Sequence, residues 1–209
     1  MNIRVNSDYS YIRILNTAVN SEKFDIYIND VLAFSNVLYK NFTPYSPMIP
    51  GKYNIKVYEN GNNDNIILDQ ELNIAGGNVG TVVITGVYPK LMVLAVSEDP
   101  NESIENKTSK FRLAHLSPTA PPIDLSINGV KMVDELPFGK STNYAQIPIG
   151  IYDFLVEQSD IDIQGNKVKF RKNKNVQLKD KKIYTIYVVG DGNTIDIIQS
   201  LDVTTYTNK

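Results

Sequence analysis

Cysteine is absent from the 209-residue sequence, and its absence excludes several kinds of chemistry. Without a thiol, the chain forms no disulfide, binds no metal through thiolates and holds no cysteine nucleophile. The absence does not fix a compartment, because many exported bacterial proteins also lack cysteine. Tryptophan is also missing and histidine occurs once, so catalysis by an imidazole has a single candidate.

Long apolar runs and a strong net charge are also lacking. No run approaches the roughly 18 residues that a membrane-spanning helix needs, so we expect no membrane span. The start, MNIRVNSDYSYIRIL, has no continuous apolar core, so we expect no secretory signal in this chain. The formal net charge of −2 gives no general attraction to nucleic acid, and we expect no nucleic-acid partner.

The composition that remains favours strands. Hydrophobic residues make up 42% of the chain, and Ile, Val, Thr and Tyr are abundant. Short stretches such as FDIYIND, YNIKVYE, IDLSING and YTIYVVG alternate or run apolar between turn residues. No window has a helical period with caps. The pattern predicts an all-β protein.

The chain contains an internal repeat at an offset of 99 residues. Arg13 then aligns with Arg112, Asp25 with Asp124, and the register continues without a gap to Val57 on Val156. The second copy next gains five residues in QSDIDIQGNKVKF, which we expect to lengthen a hairpin, and VGTVVITG aligns with IYTIYVVG at an offset of 104.

The repeat predicts the domain organisation. We expect a β-prone arm over 1–10, a first sandwich over 11–99, a linker over 100–110, a second sandwich over 111–202 and a tail over 203–209. About seven short strands per copy, with turn signals between them, are typical of an antiparallel sandwich. The predicted fold is two tandem antiparallel immunoglobulin-like β-sandwich domains.

One segment of the second copy resembles the signature of a bacterial family known as domain of unknown function 4397. The residues that carry the resemblance are His115, Ser117, Pro118, Pro121, Asp124, the pair Asn128-Gly129, and Gly150 with Tyr152. The resemblance implies tandem immunoglobulin-like or transthyretin-like sandwiches at a cell surface, and it implies no activity. It is less close in the first copy, where Asn16 replaces the histidine and Asp30 replaces the glycine. Thr119 stands where the family pattern commonly has an aspartate.

His115 and Ser117 are the best candidates for catalysis, and the pattern argues against it. Residues i and i+2 share one face of a strand but lie about 6–7 Å apart, which is too far for direct proton transfer. No nucleophile elbow accompanies them. The first copy has Asn16 at the histidine position, which hydrogen-bonds but cannot act as a base. We therefore expect His115 to hydrogen-bond the following turn, and we expect no enzyme and no cofactor.

Other residues that recur in both copies have framework roles in our interpretation. Arg13 with Asp25, and Arg112 with Asp124, are expected to form ion pairs that tie the first strand of each copy to the second, with the carboxylate also accepting backbone N–H groups. A binding site repeated twice is the alternative. Further framework positions are the turn residues Asn29 and Asn128 and the corner tyrosines Tyr53 and Tyr152.

The segment KVKFRKNKNVQLKDKK, residues 167–182, carries eight cations and one acid. It is either a contact for an acidic polymer, through Lys167, Lys169, Arg171 and Lys172, or an edge strand that lysines protect from pairing. The alternation with Val168 and Phe170 favours the edge strand. Asp160 and Asp162 lack the further ligands of a calcium loop, so we expect no metal site.

With catalysis disfavoured, the sequence favours a structural or assembly protein of a bacterial cell or spore surface. Ile3 and Val5 alternate in an N-terminal arm outside both copies, and such an arm can add to a sheet of another molecule. The expected partner is a second copy of the chain or another surface protein. The alternative is an adhesion or carbohydrate-binding module, with Tyr39, Tyr45, Tyr88 and Phe138 as candidate contacts. Three routes stay open for its location: cytoplasmic synthesis without export, a signal that has been removed, or release at a surface without a signal.

Overall fold

A computed structural model describes residues 8–161, 167–192 and 194–203. The described residues form strands, turns and irregular segments, with no helix among them. The chain divides into two compact units, and the division falls between Asn101 and Glu102. The predicted arm residues Ile3 and Val5 lie outside the described residues, as does most of the predicted tail. The prediction of an all-β fold with two sandwiches is confirmed.

The described part of the first unit forms eight strands in two four-stranded sheets. The order in one sheet is β4-β1-β7-β8, and in the other β3-β2-β5-β6. The strands are β1 (Ser10–Asn16), β2 (Lys23–Ile28), β3 (Val31–Leu38), β4 (Ser46–Met48), β5 (Gly51–Glu59), β6 (Asn62–Ile74), β7 (Val79–Val87) and β8 (Lys90–Glu98).

The second unit repeats this topology. Its sheets have the orders β12-β9-β15-β16 and β11-β10-β13-β14. The strands are β9 (Thr108–His115), β10 (Ile123–Ile127), β11 (Val130–Leu136), β12 (Ala145–Pro148), β13 (Gly150–Ile161), β14 (Lys167–Leu178), β15 (Ile183–Val189) and β16 (Asp196–Leu201). The segment that contains the five inserted residues lies at the β13–β14 hairpin, which is paired as far as Ile161 opposite Lys167, and residues 162–166 lie outside the described residues.

The expectation of purely antiparallel sheets is wrong at one pair of strands in each unit. β1 runs parallel to β7, and β9 runs parallel to β15. Between β1 and β7 the chain forms all four strands of the second sheet and the edge strand β4 of the first, and it then returns in β7 beside β1. In this register Tyr11 and Glu98 both lie opposite Val79, so β1 begins where β8 ends.

Each unit buries its core between its own two sheets. In the first unit the core joins Ile14, Val82 and Ile84 of one sheet to Phe24 and Val57 of the other. In the second unit Phe111 and Phe154 meet across the core at 5.2 Å between ring centroids, edge to face. The alternation that identified the strands thus places one side of each strand in the core.

The polar segment between the copies is shorter than the expected 100–110. β9 begins at Thr108, which pairs with Pro148 in β12. Ser109 is buried, and its hydroxyl donates to the carbonyl oxygen of Lys182 at 2.7 Å. Polar residues that satisfy their hydrogen bonds in a strand resemble a linker in sequence, and this accounts for the difference.

Candidate functional site

The expected ion pairs between Arg13 and Asp25, and between Arg112 and Asp124, are absent from the described residues. β1 and β2 belong to different sheets of the sandwich, so the strand that carries the arginine is not hydrogen-bonded to the strand that carries the aspartate. Asp25 instead accepts hydrogen bonds from backbone N–H groups within its own sheet and the turn between two of its strands. The recurrence of these residues was a correct observation, but the pairing drawn from it was wrong.

Each arginine has a different acidic partner at the end of its own sheet. Arg13 Nη2 lies 3.6 Å from Glu98 Oε1, and its Nε donates to the Thr81 hydroxyl at 2.9 Å. Tyr45 donates to the same Glu98 carboxylate at 2.6 Å. The Glu98 side chain is 0% exposed, so this is a buried charge that contacts Arg13 of β1 and Tyr45 of the loop before β4.

The second unit repeats this cluster. Arg112 Nη2 lies 3.9 Å from Asp202 Oδ2, and its Nε donates to the Thr185 hydroxyl at 2.9 Å. Thr185 donates in turn to Asp202, and so does the Tyr144 hydroxyl. The sequence signal existed, because the offset of 104 that aligns VGTVVITG with IYTIYVVG also places Glu98 on Asp202.

Aromatic rings cover the guanidinium groups of both clusters. The Arg13 guanidinium carbon is 4.4 Å from the Phe42 ring centroid and 4.6 Å from that of Tyr45. Arg112 lies 4.7 Å from the Tyr144 ring. Such stacking compensates a desolvated cation. Both clusters are therefore closed braces inside the units and leave little of the charge exposed to a ligand.

Asp25 and Asp124 stabilise an irregularity that both units share. Asp25 accepts from the backbone N–H of Asn36 at 2.9 Å, and Asp124 accepts from that of Glu135 at 2.9 Å. Asn36 and Glu135 have positive φ angles of 61° and 49°, where the β2–β3 and β10–β11 pairings shift register.

The pKa of both carboxyl groups reflects this bonding. Partial burial raises the pKa of Asp25, but hydrogen bonds from Gly61, Asn60 and Asn36 outweigh it, and the pKa is lowered. At Asp124, burial likewise raises the pKa of the carboxyl group. The hydrogen bonds from the Glu135 N–H and from Lys131 outweigh this effect, and the pKa is lowered. The ionised carboxylates therefore hold the bulges.

His115 is fully buried, and both of its ring nitrogens contact the backbone. Nδ1 accepts from the N–H of Ser117 at 3.3 Å, which leaves Nε2 to carry the proton and donate to the Pro121 carbonyl at 3.1 Å. Burial lowers the pKa of His115 and outweighs the raising effect of the Pro121 carbonyl. The imidazole is neutral and braces the segment that follows it. In the first unit the Asn16 side chain accepts from the N–H of Ala18 at 3.0 Å in the same way.

The Ser117 hydroxyl donates its hydrogen bond to a backbone carbonyl. A serine nucleophile would donate it to an imidazole nitrogen instead. In the first unit Val19 donates its N–H to Gly86 O at 2.9 Å. Pro118 stands at the equivalent position and has no N–H, and the Ser117 hydroxyl donates to Gly190 O at 2.6 Å in its place. The Ser117 hydroxyl therefore replaces the backbone N–H that Pro118 lacks.

The turn and corner residues also bond within their own units. Asn29 and Asn128 each accept the backbone N–H of a residue in the neighbouring strand, at 2.9 Å in both units. Tyr53 donates to the Ile49 carbonyl at 2.7 Å, and Tyr152 donates to that of Pro148 at 2.8 Å. In both units the acceptor lies four positions before the tyrosine along the chain, so each tyrosine fixes the corner at the start of its strand.

The basic segment is largely strand β14, at the edge of its sheet. Arg171 forms an ion pair with Glu157 at 2.7 Å, and Lys172 with Asp196 at 3.5 Å. The side chains of Lys167 and Lys169 lie outside the described residues. The two described cations of the predicted polyanion contact are thus paired with acids of their own unit.

The four aromatic residues proposed as glycan contacts are all half-buried and have partners inside their units. Tyr45 and Tyr88 donate to Glu98 and Glu59, and Phe138 packs edge-on against the His115 ring. The Tyr39 ring lies 5.2 Å from the Lys40 ammonium. They form no exposed aromatic platform.

The edge strands β3 and β11 carry a feature that the sequence reasoning did not single out. Val31 is 67% exposed, Leu32 48%, and on β11 Val130 is 62% exposed. Among the described strands, each of these two has one hydrogen-bonded neighbour. The sequence of β3, VLAFSNVL, has fewer polar residues than that of β11, VKMVDEL. This contrast could have indicated that the edge of the first unit is the more apolar of the two.

Comparison with known proteins identifies the family. Residues 10–126 and 109–209 each match the model of the family described as Domain of unknown function (DUF4397). The chain belongs to this family. Two overlapping DUF4397 matches are consistent with the tandem units. Comparison with curated proteins finds no match.

Two other kinds of site, a membrane-spanning helix and a metal-binding cluster, are absent from the described residues. No helix among them is long and apolar enough to cross a membrane. In the same residues, no group of three or more His, Asp or Glu side chains is placed to hold a metal ion.

Proposed function

We propose that this DUF4397 protein is a non-enzymatic structural protein of a bacterial cell or spore surface that associates with further copies of itself through a sheet edge. The observation that carries the proposal is the exposed apolar edge strand β3 in the first unit. Val31, Leu32 and Leu38 on this strand are 67%, 48% and 48% exposed. An edge strand with unpaired backbone groups and apolar side chains favours pairing with another strand.

The second unit supports this interpretation by contrast. Lys131 occupies the position on β11 that Leu32 occupies on β3. Its ammonium group lies 2.9 Å from Asp124 and also bonds Asp134, whose carboxylate is the main reason that the pKa of Lys131 is raised. A lysine on an edge strand discourages pairing. β11 thus carries charged side chains beside its exposed Val130 and Met132, whereas β3 carries no charged side chain.

The framework residues support a role without catalysis. His115 is neutral with both nitrogens bonded to backbone atoms, and the Ser117 hydroxyl donates to a carbonyl.

Contacts through one edge of one unit are heterologous if the partner offers a different edge, and heterologous contacts extend into chains of molecules.

The test is the change Leu32→Lys, which copies the residue of the second unit. We expect sedimentation velocity over a wide concentration range to show assemblies for the unmodified protein and a smaller mass for the variant. Ile151→Lys is the matched control: Ile151 is 67% exposed on the inner strand β13, and the first unit has Lys52 there. A monomer at every concentration without any substitution contradicts the proposal, as does equal loss of assembly in the control.

A separate variant tests the N-terminal arm. Deletion of residues 1–9 removes Ile3 and Val5 and leaves β1 intact from Ser10. Loss of assembly on this deletion, with assembly kept in Ile151→Lys, assigns the donated strand to the arm. Assembly that persists after the deletion but not after Leu32→Lys assigns the contact to β3 and another edge.

A further inference from the structure

The first unit contains a cavity that opens between its two sheets. Its volume is about 440 Å³, within the range of small-molecule sites, which begins at about 300 Å³. Buried aliphatic side chains form the floor, and more exposed residues form the rim. The floor comprises Ile14, Ile55, Ile74 and Val82, and the rim includes Ala33, Pro47 and Ile49.

The lining is mainly apolar. Among the described residues, no Asp, Glu, Lys, Arg or His side chain contributes to it, and Ser46 and Tyr53 supply hydroxyl groups. The Tyr53 hydroxyl donates to the Ile49 carbonyl at 2.7 Å, so its oxygen is left to accept a hydrogen bond. A charged ligand would lose its hydration without compensation there. The complementary ligand is neutral.

In the second unit, aromatic side chains of the chain itself occupy the equivalent positions. Ile12 and Ile55 line the cavity, and the repeat aligns them with Phe111 and Phe154. Those rings are 4% and 0% exposed and pack edge to face at 5.2 Å. Phe34 has the smaller Val133 as its counterpart, so the second unit has one more ring at these positions than the first.

We infer that the cavity of the first unit binds a neutral aromatic molecule of one or two fused rings. The ligand takes the place of the additional ring that the second unit has at these positions. A cavity of about 150 Å³ lined by aliphatic and aromatic side chains is enough to bind benzene, so the larger space here accepts a bicyclic compound. A single N–H or O–H on the ligand can donate to the Tyr53 oxygen.

The experiment uses the full chain and indole as the probe. Titration followed by methyl NMR is expected to shift signals of Ile14, Ile55 and Ile74, with a dissociation constant of roughly 1 mM or tighter for so small a ligand. Toluene tests the requirement for an N–H, and decanoate tests a chain-shaped ligand in place of a ring.

Two variants copy the second unit into the first. Ile12→Phe with Ile55→Phe fills the floor, and the methyl shifts on indole addition are expected to disappear. Ala33→Met, which introduces the counterpart Met132 at the rim, is expected to weaken indole binding severalfold while the core stays unchanged. The rim variant keeps the test decisive if the double variant does not fold. Leu32→Lys does not alter the lining and is expected to bind indole normally, so this result and that on assembly are independent.

Three outcomes would overturn the inference. The first is no indole or toluene binding by the unmodified protein at millimolar concentration. The second is indole binding that persists in both filled and rim variants, since the ligand then sits elsewhere. The third is binding of decanoate alone, which indicates an acyl chain as the occupant.

Discussion

The two units share one framework and differ in what fills it. Both place an arginine, a threonine, an acid and a tyrosine in a buried cluster, and both hold a bulge with an aspartate. The interior differs: paired rings of Phe111 and Phe154 fill the second unit, whereas the first keeps an apolar cavity. After duplication, polar contacts that fix the backbone were retained, and the apolar filling was free to change.

The edges differ in the same direction. Leu32 on β3 is 48% exposed, and the equivalent Lys131 on β11 is held by two carboxylates. The first unit therefore has both the open cavity and the unprotected edge. The second unit instead has the paired rings of Phe111 and Phe154 in its core and a charged residue, Lys131, on the equivalent edge.

The largest expected effect comes from removing the buried cation. Arg112→Ala leaves Asp202 buried without its counterion, and we expect the second unit to lose about 3–5 kcal/mol of its free energy of unfolding. Arg13→Ala should cost the first unit a similar amount through Glu98. Urea titration with hydrogen exchange of peptides from each unit measures both. The surface change Arg171→Ala is the control, and equal losses in it would refute the special role of burial.

A smaller effect is expected from exchanging the core residues between the units. Phe154→Ile should destabilise the second unit by about 2–3 kcal/mol, because it removes a ring that contacts Phe111. Ile55→Phe should cost the first unit far less, since a cavity is there to receive the ring. Thermal unfolding with the same peptide readout compares them. If Ile55→Phe is the more damaging change, the contrast between a filled and an open unit is wrong.

The pH dependence should separate His115 from its counterpart Asn16. Because burial lowers the pKa of His115, the unfolded chain binds the proton more readily below the ordinary value of 6.5. Stability from the neutral imidazole is therefore complete above that pH and falls as the pH drops, by up to about 1.4 kcal/mol per pH unit. His115→Asn should remove this fall between pH 7 and pH 5. Urea titrations at both pH values test it, and an unchanged pH dependence in the variant would contradict it.

The smallest effect on stability is expected at the edges. Leu32→Lys and its reverse, Lys131→Leu, should each change the free energy of unfolding by less than about 0.5 kcal/mol, because both side chains are near the surface. Their effects on association should be opposite, with Lys131→Leu increasing the sedimenting mass. A decrease in mass for Lys131→Leu would show that the lysine does not protect the edge.

The sequence was sufficient for the fold because the repeat and the alternating strands are local patterns. It also placed the framework residues, since Arg13, Asp25 and Tyr53 recur at a fixed offset. It failed on the partner of Arg13 because β1 and β2, although consecutive along the chain, belong to different sheets, so proximity along the chain does not mean contact. The parallel pairing of β1 with β7 was missed for the same reason.

The cavity could not be predicted from a single strand. Its volume depends on side chains from both sheets, among them Ile12, Phe34 and Ile55, and small differences at each position add together. The alignment of Ile12 with Phe111 was visible in the repeat, but its meaning required knowing that Ile55 lines the same space.

The register that sets Tyr11 and Glu98 against Val79 has one more consequence. The polypeptide comes in and goes out of the sheet at the same end, only two strand spacings or about 10 Å apart. A unit whose two ends lie this close together can be duplicated in tandem within a gene, or deleted, without requiring the flanking chain to cross the unit. The architecture itself thus made the doubling of this gene product easy to tolerate.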